Sequence, residues 1–258
     1  MKVTFNLLCK HPNLLLPEIW RFNKHKNFIF SLSRNSYLSE DIKHIKETFE
    51  HGYNPIFLVN YTDYTKNDKN HLCNTLKKNN IKNLMLLPDF NPKKDITNDI
   101  DYSKTIDFMK ILKEKFTRSQ IYTLAFSENE ISVENQMARI KQLKEMQSLG
   151  LKGIYTRPFF DTNLFFEWRE RALDAGIKIP ITAGMITLSQ RNTEFLKTKY
   201  GINQLNLSEI LNYYKDKTGI MALEKNLNEL RKNGINDICV YTLYSTKLAE
   251  SLIKELNL

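Results

Sequence analysis

Two carboxylates, Glu128 and Glu130, stand on either side of Asn129 just after the apolar run Ile121–Phe126. Acids this close can work as an acid/base pair, because the charge of one raises the pKa of the other. A solvated loop carrying two charges has the same spacing, and the sequence leaves both readings open. Arg157 closes the run Lys152–Arg157 and precedes Pro158-Phe159-Phe160-Asp161. A guanidinium there can grip a carboxylate or a phosphate with two parallel hydrogen bonds. It can equally pair with Glu128 or Glu130. Asn6, in the opening run Lys2–Leu8, is either an amide contact to a substrate or a satisfied polar group inside the fold. Asp161 precedes an apolar helical run and suits a helix N-cap.

Metal and thiol chemistry find less support. Cys9, Cys73 and Cys239 are far apart and follow no CxxC spacing, and only single histidines, His11 and His71, stand near any of them. A zinc site is therefore not expected, and isolated thiols in odd number suit a reducing cytosol. The expected location is cytoplasmic, since the N-terminal apolar stretch is broken by Asn6, Lys10 and His11 and no run approaches the ~18 residues of a membrane helix. The net charge of +9 comes from lysines scattered over helix faces rather than from one basic patch. That distribution argues against nucleic acid and suits an anionic small molecule as well. Self-association as a homo-oligomer is left open.

The elements that must hold these residues alternate from end to end. Strand runs are expected at Lys2–Leu8, Asn27–Leu32, Pro55–Asn60, Asn83–Pro88, Ile121–Phe126, Lys152–Arg157, Ile179–Ala183 and Asp237–Thr242. Helix-period stretches lie between them, such as Glu134–Leu149 with Met137, Ile140, Leu143 and Met146 on one stripe, Leu164–Ala175, and an extra helix at Leu205–Tyr214. Five times a Gly or Asn followed by an apolar residue marks a helix end: Gly52-Tyr53, Asn80-Ile81, Gly150-Leu151, Gly176-Ile177 and Gly234-Ile235. Alternating β and α elements imply a parallel sheet with right-handed crossovers. Eight strands in 258 residues favour a closed (β/α)8 TIM barrel, one domain over residues 1–258. No GxGxxG follows the first strand, as a dinucleotide-binding sheet would require.

In such a barrel the active site forms where strands end, at the C-terminal face. Those ends gather Asn6, Ser31, Arg34, Asp89, Phe126, Glu128, Glu130, Arg157, Phe159, Thr182 and Tyr241. Three stretches resemble the methylenetetrahydrofolate reductase family. One is Gly153-Ile154-Tyr155-Thr156-Arg157-Pro158-Phe159-Phe160-Asp161 with the following helix and Gly176 through Ile181; another is Asn233-Gly234-Ile235 through Tyr241-Thr242-Leu243; the third is the opening Val3–Leu8.

The resemblance implies a flavin-dependent oxidoreductase that reduces a folate C1 carrier, with FAD at the barrel mouth and NAD(P)H as electron donor. It implies flavin-side positions at Ser31, Arg34, Asp89, Tyr102, Phe126 and Arg139, and substrate-side positions at Arg157, Phe159 and Tyr241. Catalytic positions would be Asn6, Glu128 and Glu130. Many types are altered, however. Asn6 stands where the family has a glutamate general acid, Leu58 and Glu130 where it has histidines, Arg139 where it has an aspartate, and Arg157 where it has a glutamine. Two further readings stay open: a flavin-free barrel that binds or transforms another anionic small molecule, and a non-catalytic partner subunit that keeps the fold.

Overall fold

Side chains alternate across each strand, and here the alternation sorts them into two layers. Phe5, Phe57, Leu84, Ile121, Ile154 and Val240 face outward and are buried under helices, while Ile56, Leu58, Met85, Leu124, Tyr155 and Cys239 form a separate inner cluster. Residues buried on both faces make near-continuous apolar runs such as Ile56–Val59 and Asn83–Leu86, as a covered parallel sheet requires.

A computed structural model describes residues 2–7, 27–31, 42–43, 46–47, 49–59, 66–88, 102–125, 132–186, 219–242 and 254. Its strands are β1 (Lys2–Leu7), β2 (Asn27–Ser31), β3 (Asn54–Val59), β4 (Asn83–Leu86), β5 (Gln120–Ala125), β6 (Leu151–Thr156), β7 (Ile181–Ile186) and β8 (Asp237–Tyr241). Each pairs in parallel with the next, and β8 pairs with β1, so the sheet closes into an eight-stranded barrel. The described helices are α1 (Lys66–Lys78), α2 (Ser103–Lys115), α3 (Val133–Ser148), α4 (Thr162–Asp174) and α5 (Gly219–Lys232). The expected helix Leu205–Tyr214 lies outside the described residues.

The helix-ending signals work as their chemistry suggests. Gly52, Gly150, Gly176 and Gly234 have positive φ, and among the described residues Asn80 is the non-glycine residue that shares it, at 57°. At α1, α4 and α5 the same pair of backbone bonds closes the last turn. Asn80, Gly176 and Gly234 donate to Lys77, Leu173 and Arg231, and the following Ile81, Ile177 and Ile235 donate to Leu76, Ala172 and Leu230. Those three isoleucines are buried, so each stop also fixes how the helix packs back on the barrel. At the other end of α4, the Asp161 carboxylate accepts from the Asn163 and Leu164 amides at 2.8 and 3.4 Å, the N-cap expected of it.

One strand is displaced from its expected place. Ile179–Ala183 was the run favoured by composition, whereas β7 spans Ile181–Ile186. Ala183-Gly184 reads as the end of a strand because neither residue favours one. Gly184 is instead inside it, where a Cβ would lie 2.3 Å from the Thr156 carbonyl oxygen and 2.7 Å from that of Arg157. Glycine within a strand marks such a close backbone approach. The correction moves Thr182 from the mouth to the second residue of β7, beside Tyr155, and puts Ile186 at the strand end.

Candidate active site at the barrel mouth

Register brings several expected residues to one end of the barrel. Asn6 pairs with Ile29 of β2 and with Tyr241 of β8, Ser31 ends β2 opposite Leu58, and Arg157 follows the last residue of β6. Asn6, Ser31, Arg157 and Tyr241 therefore share the C-terminal face. Arg34, Asp89, Phe126, Glu128 and Glu130 lie outside the described residues.

The best-defined part of the mouth is built around Thr156 and Arg157. The Arg157 amide donates to the Ala125 carbonyl of β5 at 3.1 Å. The Thr156 hydroxyl accepts from the Gly184 amide of β7 at 2.6 Å, and the Thr156 carbonyl accepts from the Tyr241 hydroxyl of β8 at 2.9 Å. Three strands thus hold one dipeptide. The loop beyond is tied to α5: Asn226 Nδ2 donates to the Phe160 carbonyl at 3.1 Å, and the Thr162 hydroxyl donates to Glu229. Sequence reading singled out Arg157 but not Thr156 or Gly184. No local sequence signal marked Gly184, since what it makes room for is the backbone at the end of β6.

Tyr241 is buried at 1% exposure with its hydroxyl on a backbone carbonyl, so it braces the mouth from within. Tyr241→Phe leaves the Thr156 carbonyl without this donor and is expected to cost about 1 kcal/mol. Urea unfolding of the two proteins measures it; equal midpoints would show that the hydroxyl carries no net stability.

Phe159 is likewise buried, stacked on Phe165 of α4 with centroids 4.7 Å apart, and it belongs to the layer between strands and helices. Packing is the role the structure gives it, while Phe160 is half-buried against the inner cluster. Tyr102 occupies the N-cap position of α2 without a side-chain capping bond, and its hydroxyl donates instead to the Leu124 carbonyl of β5 at 2.8 Å. Its amide donates to Gln142 of α3, which also donates to Ser103. Arg139 lies one helical turn before Gln142 and is buried, so that face of α3 looks toward the start of α2. Leu58 is packed in the barrel interior and offers no polar atom.

Two inner residues that can ionise are held neutral. Burial raises the Tyr155 hydroxyl far above its ordinary value, helped by the neighbouring Cys239 thiol, and burial alone does the same to Cys239. Both therefore stay protonated near pH 7. Among the described residues no group of three metal-binding side chains occurs, and no helix is long and apolar enough to cross a membrane. A cavity of about 430 Å³ opens at the opposite end of the barrel, among Arg169, Lys178, Pro180, Asn236 and Asp237. There the C-terminal ends of α4 and α5 and the Asp237 carboxylate offset the two cations, so it shows no preference of charge.

Comparison with solved structures agrees on architecture across unrelated chemistries. A GH10 endoxylanase from a sugarcane soil metagenome aligns with a TM-score of 0.56 at 12% identity, over 95% of this chain and 85% of that one. An oxaloacetate acetylhydrolase aligns at 0.54 and 8%, over 99% and 79%. Tryptophan synthase from M. tuberculosis aligns at 0.50 and 9%, over 99% and 87%. At such identities the likeness is one of fold alone. No curated protein matches the chain in sequence. The family model for methylenetetrahydrofolate reductase matches residues 39–257, from ahead of β3 through β8 and beyond. With the barrel, its mouth and that match together, the chain belongs to the methylenetetrahydrofolate reductase family.

Proposed function

We propose that the protein is a flavin-dependent oxidoreductase whose substrate is related to the folate C1 carriers, with FAD held at the C-terminal mouth and a reduced nicotinamide as electron donor. The observation that carries this reading is the family match over residues 39–257, which takes in six of the eight strands. When bound, flavin supplies hydride chemistry that no side chain can; the barrel supplies position and charge. Ser31, Arg34, Asp89, Tyr102, Phe126 and Arg139 are the proposed flavin-side residues.

The described residues fit that cofactor in part. Tyr102 already gives its hydroxyl proton to Leu124, Leu58 has no polar atom, and Arg139 brings a cation where the family has an anion. A guanidinium suits the cofactor's phosphates, but hydrogen bonds around the ring and its chain are fewer. Two or three lost bonds at ~1 kcal/mol each weaken binding by about 10- to 1000-fold relative to the family's usual affinity. The protein is accordingly expected to lose flavin on dialysis and to recover it when FAD is added.

The reading is tested by following oxidation of NADH and NADPH with added FAD and a panel of tetrahydrofolate C1 derivatives, with product identified by mass. Turnover of one derivative that needs both FAD and folate supports it. Bound flavin with no folate-dependent turnover refutes the substrate, and no flavin binding at all refutes the cofactor.

A further inference from the structure

Lysines that lie scattered along the chain converge on one sector of the barrel's N-terminal end, opposite the mouth. Three turns lead there from helix to strand: α1 into β4, α2 into β5 and α3 into β6. Their strands are neighbours, with Asn83 in register with Gln120 and Ile121 with Leu151. Direct contacts join the turns themselves. The Gln120 amide donates to the Lys82 carbonyl at 2.7 Å, and Lys113 Nζ donates to the Ser119 carbonyl at 2.8 Å. The same Nζ lies 3.6 Å from where a Cβ on Gly150 would stand.

Lys77 and Lys78 end α1, and Lys113 and Lys115 fall in the last turn of α2, where cations offset the negative end of a helix dipole. That account does not cover Lys82, Arg118 and Lys152, which stand in turns or on a strand. Lys82 and Lys113 are half-buried and the others are exposed. Among the described residues, none of these cations is in an ion pair. Of the carboxylates near the three turns, Glu145 is held by Lys110 at 3.4 Å, which leaves Glu114. Burial, and after it the Lys152 charge, lower the Lys113 pKa, as crowding of like charges does.

We propose that this sector is a binding surface for the phosphodiester backbone of a nucleic acid. A compact set of cations neutralises phosphates, releases their counterions and needs no contact with a base. Exposed Asn80, Thr117 and Gln120 add amide and hydroxyl donors among the cations. The exposed large apolar side chains of the described residues are Phe49, Val133, Met137, Leu164 and Leu173, and none belongs to the three turns. A membrane-binding face lays apolar side chains into lipid, and a protein interface has an apolar or aromatic centre. The sector offers neither. Spacing along the chain conceals this surface, because the three turns meet only in the closed sheet.

The test uses the whole protein and one labelled sequence made as single-stranded RNA, single-stranded DNA and duplex DNA. Fluorescence anisotropy is followed as salt is raised. Binding with a Kd of about 10⁻⁴–10⁻⁶ M near physiological salt, falling steeply as salt rises, is expected. Each of Lys82→Gln, Arg118→Gln and Lys152→Gln should flatten the salt slope by about one and weaken binding by about 10-fold at about 0.1 M salt. Lys43→Gln and Lys225→Gln remove the same charge from helices outside the sector and should leave the slope unchanged. Tighter binding of one probe than the others identifies RNA or DNA as the source of the phosphates.

A wild type that binds none of the three probes at low salt overturns the proposal. Equal losses in the sector variants and in the two controls also overturn it, since the attraction is then one of net charge alone. Vesicles of phosphatidylcholine and phosphatidylserine form the last arm. Capture by these vesicles with no nucleic acid bound would make the sector a lipid-facing surface and would overturn the proposal as well.

Discussion

Asn6→Glu is expected to raise methylenetetrahydrofolate reduction by about 10²–10⁴-fold over a wild type that shows little or none. Opening the five-membered ring of that substrate to an iminium ion requires a proton on the departing nitrogen. In the family, a carboxylic acid on the first strand delivers it. On the proposed function the corresponding position is Asn6, at the mouth end of β1 and in register with Tyr241 of β8. An amide cannot donate a proton near neutral pH, and the rest of β1 holds no acid or histidine. Glu128 and Glu130 follow in sequence after β5, a strand across the barrel from β1, and lie outside the described residues. The proposed function therefore keeps the cofactor and the folate-like substrate and gives up this protonation. Assay of both proteins with added FAD and reduced nicotinamide decides the matter. Robust wild-type turnover would mean that an acid elsewhere has taken over. Activity confined to Asn6→Glu would show an otherwise intact folate site whose natural reaction differs.

Gly184→Ala has the largest expected effect on stability. The new methyl would sit 2.3 Å from the Thr156 oxygen, 2.7 Å from the Arg157 oxygen and 2.9 Å from the Arg157 carbonyl carbon. All three are backbone atoms at the end of β6 or just beyond it, a stretch held by β5, β7 and β8, so relief means moving it away from β7. Overpacking of this kind costs about 3 kcal/mol or more, a large share of a typical domain's stability of about 5–15 kcal/mol. Gly234→Ala is the comparison: its Cβ meets nothing within 4 Å, and its cost is the left-handed conformation alone, at φ 73°. About 1–2 kcal/mol is expected there. Chemical denaturation of both variants measures the difference. Equal losses would show that β6 and β7 can part without strain. Because the strain falls on Arg157, Gly184→Ala should also disturb ligand binding at the mouth where Gly234→Ala does not.

The contrast between these glycines shows what sequence can and cannot reveal. Gly234, like Gly52, Gly150 and Gly176, stands between a helical period and an apolar residue, and that local pattern alone gives its role. Five of the eight strands, β3, β4, β6, β7 and β8, were legible for the same reason: each is short, largely apolar and follows such a stop. Gly184 was not legible as a strand residue, because its reason is a carbonyl of another strand, 28 residues earlier in the chain. The candidate site divides in the same way. Asn6, Arg157 and Tyr241 could be placed at the mouth from strand ends. That Tyr241 braces Thr156, that Phe159 stacks on Phe165 and that Tyr102 is spent on Leu124 follows only from what packs opposite them. Polar or aromatic character at a strand end marks a site residue and a brace equally well.

On the proposed function, this member of the family holds FAD at its C-terminal mouth, more weakly than is usual because of Leu58, Glu130 and Arg139. Titration of dialysed protein with FAD, followed by the visible spectrum and by flavin fluorescence, tests it most directly. Saturable one-to-one binding that perturbs the spectrum and reverses on dialysis is the expected result. Stoichiometric flavin that survives dialysis, or no saturable binding up to millimolar FAD, would contradict it.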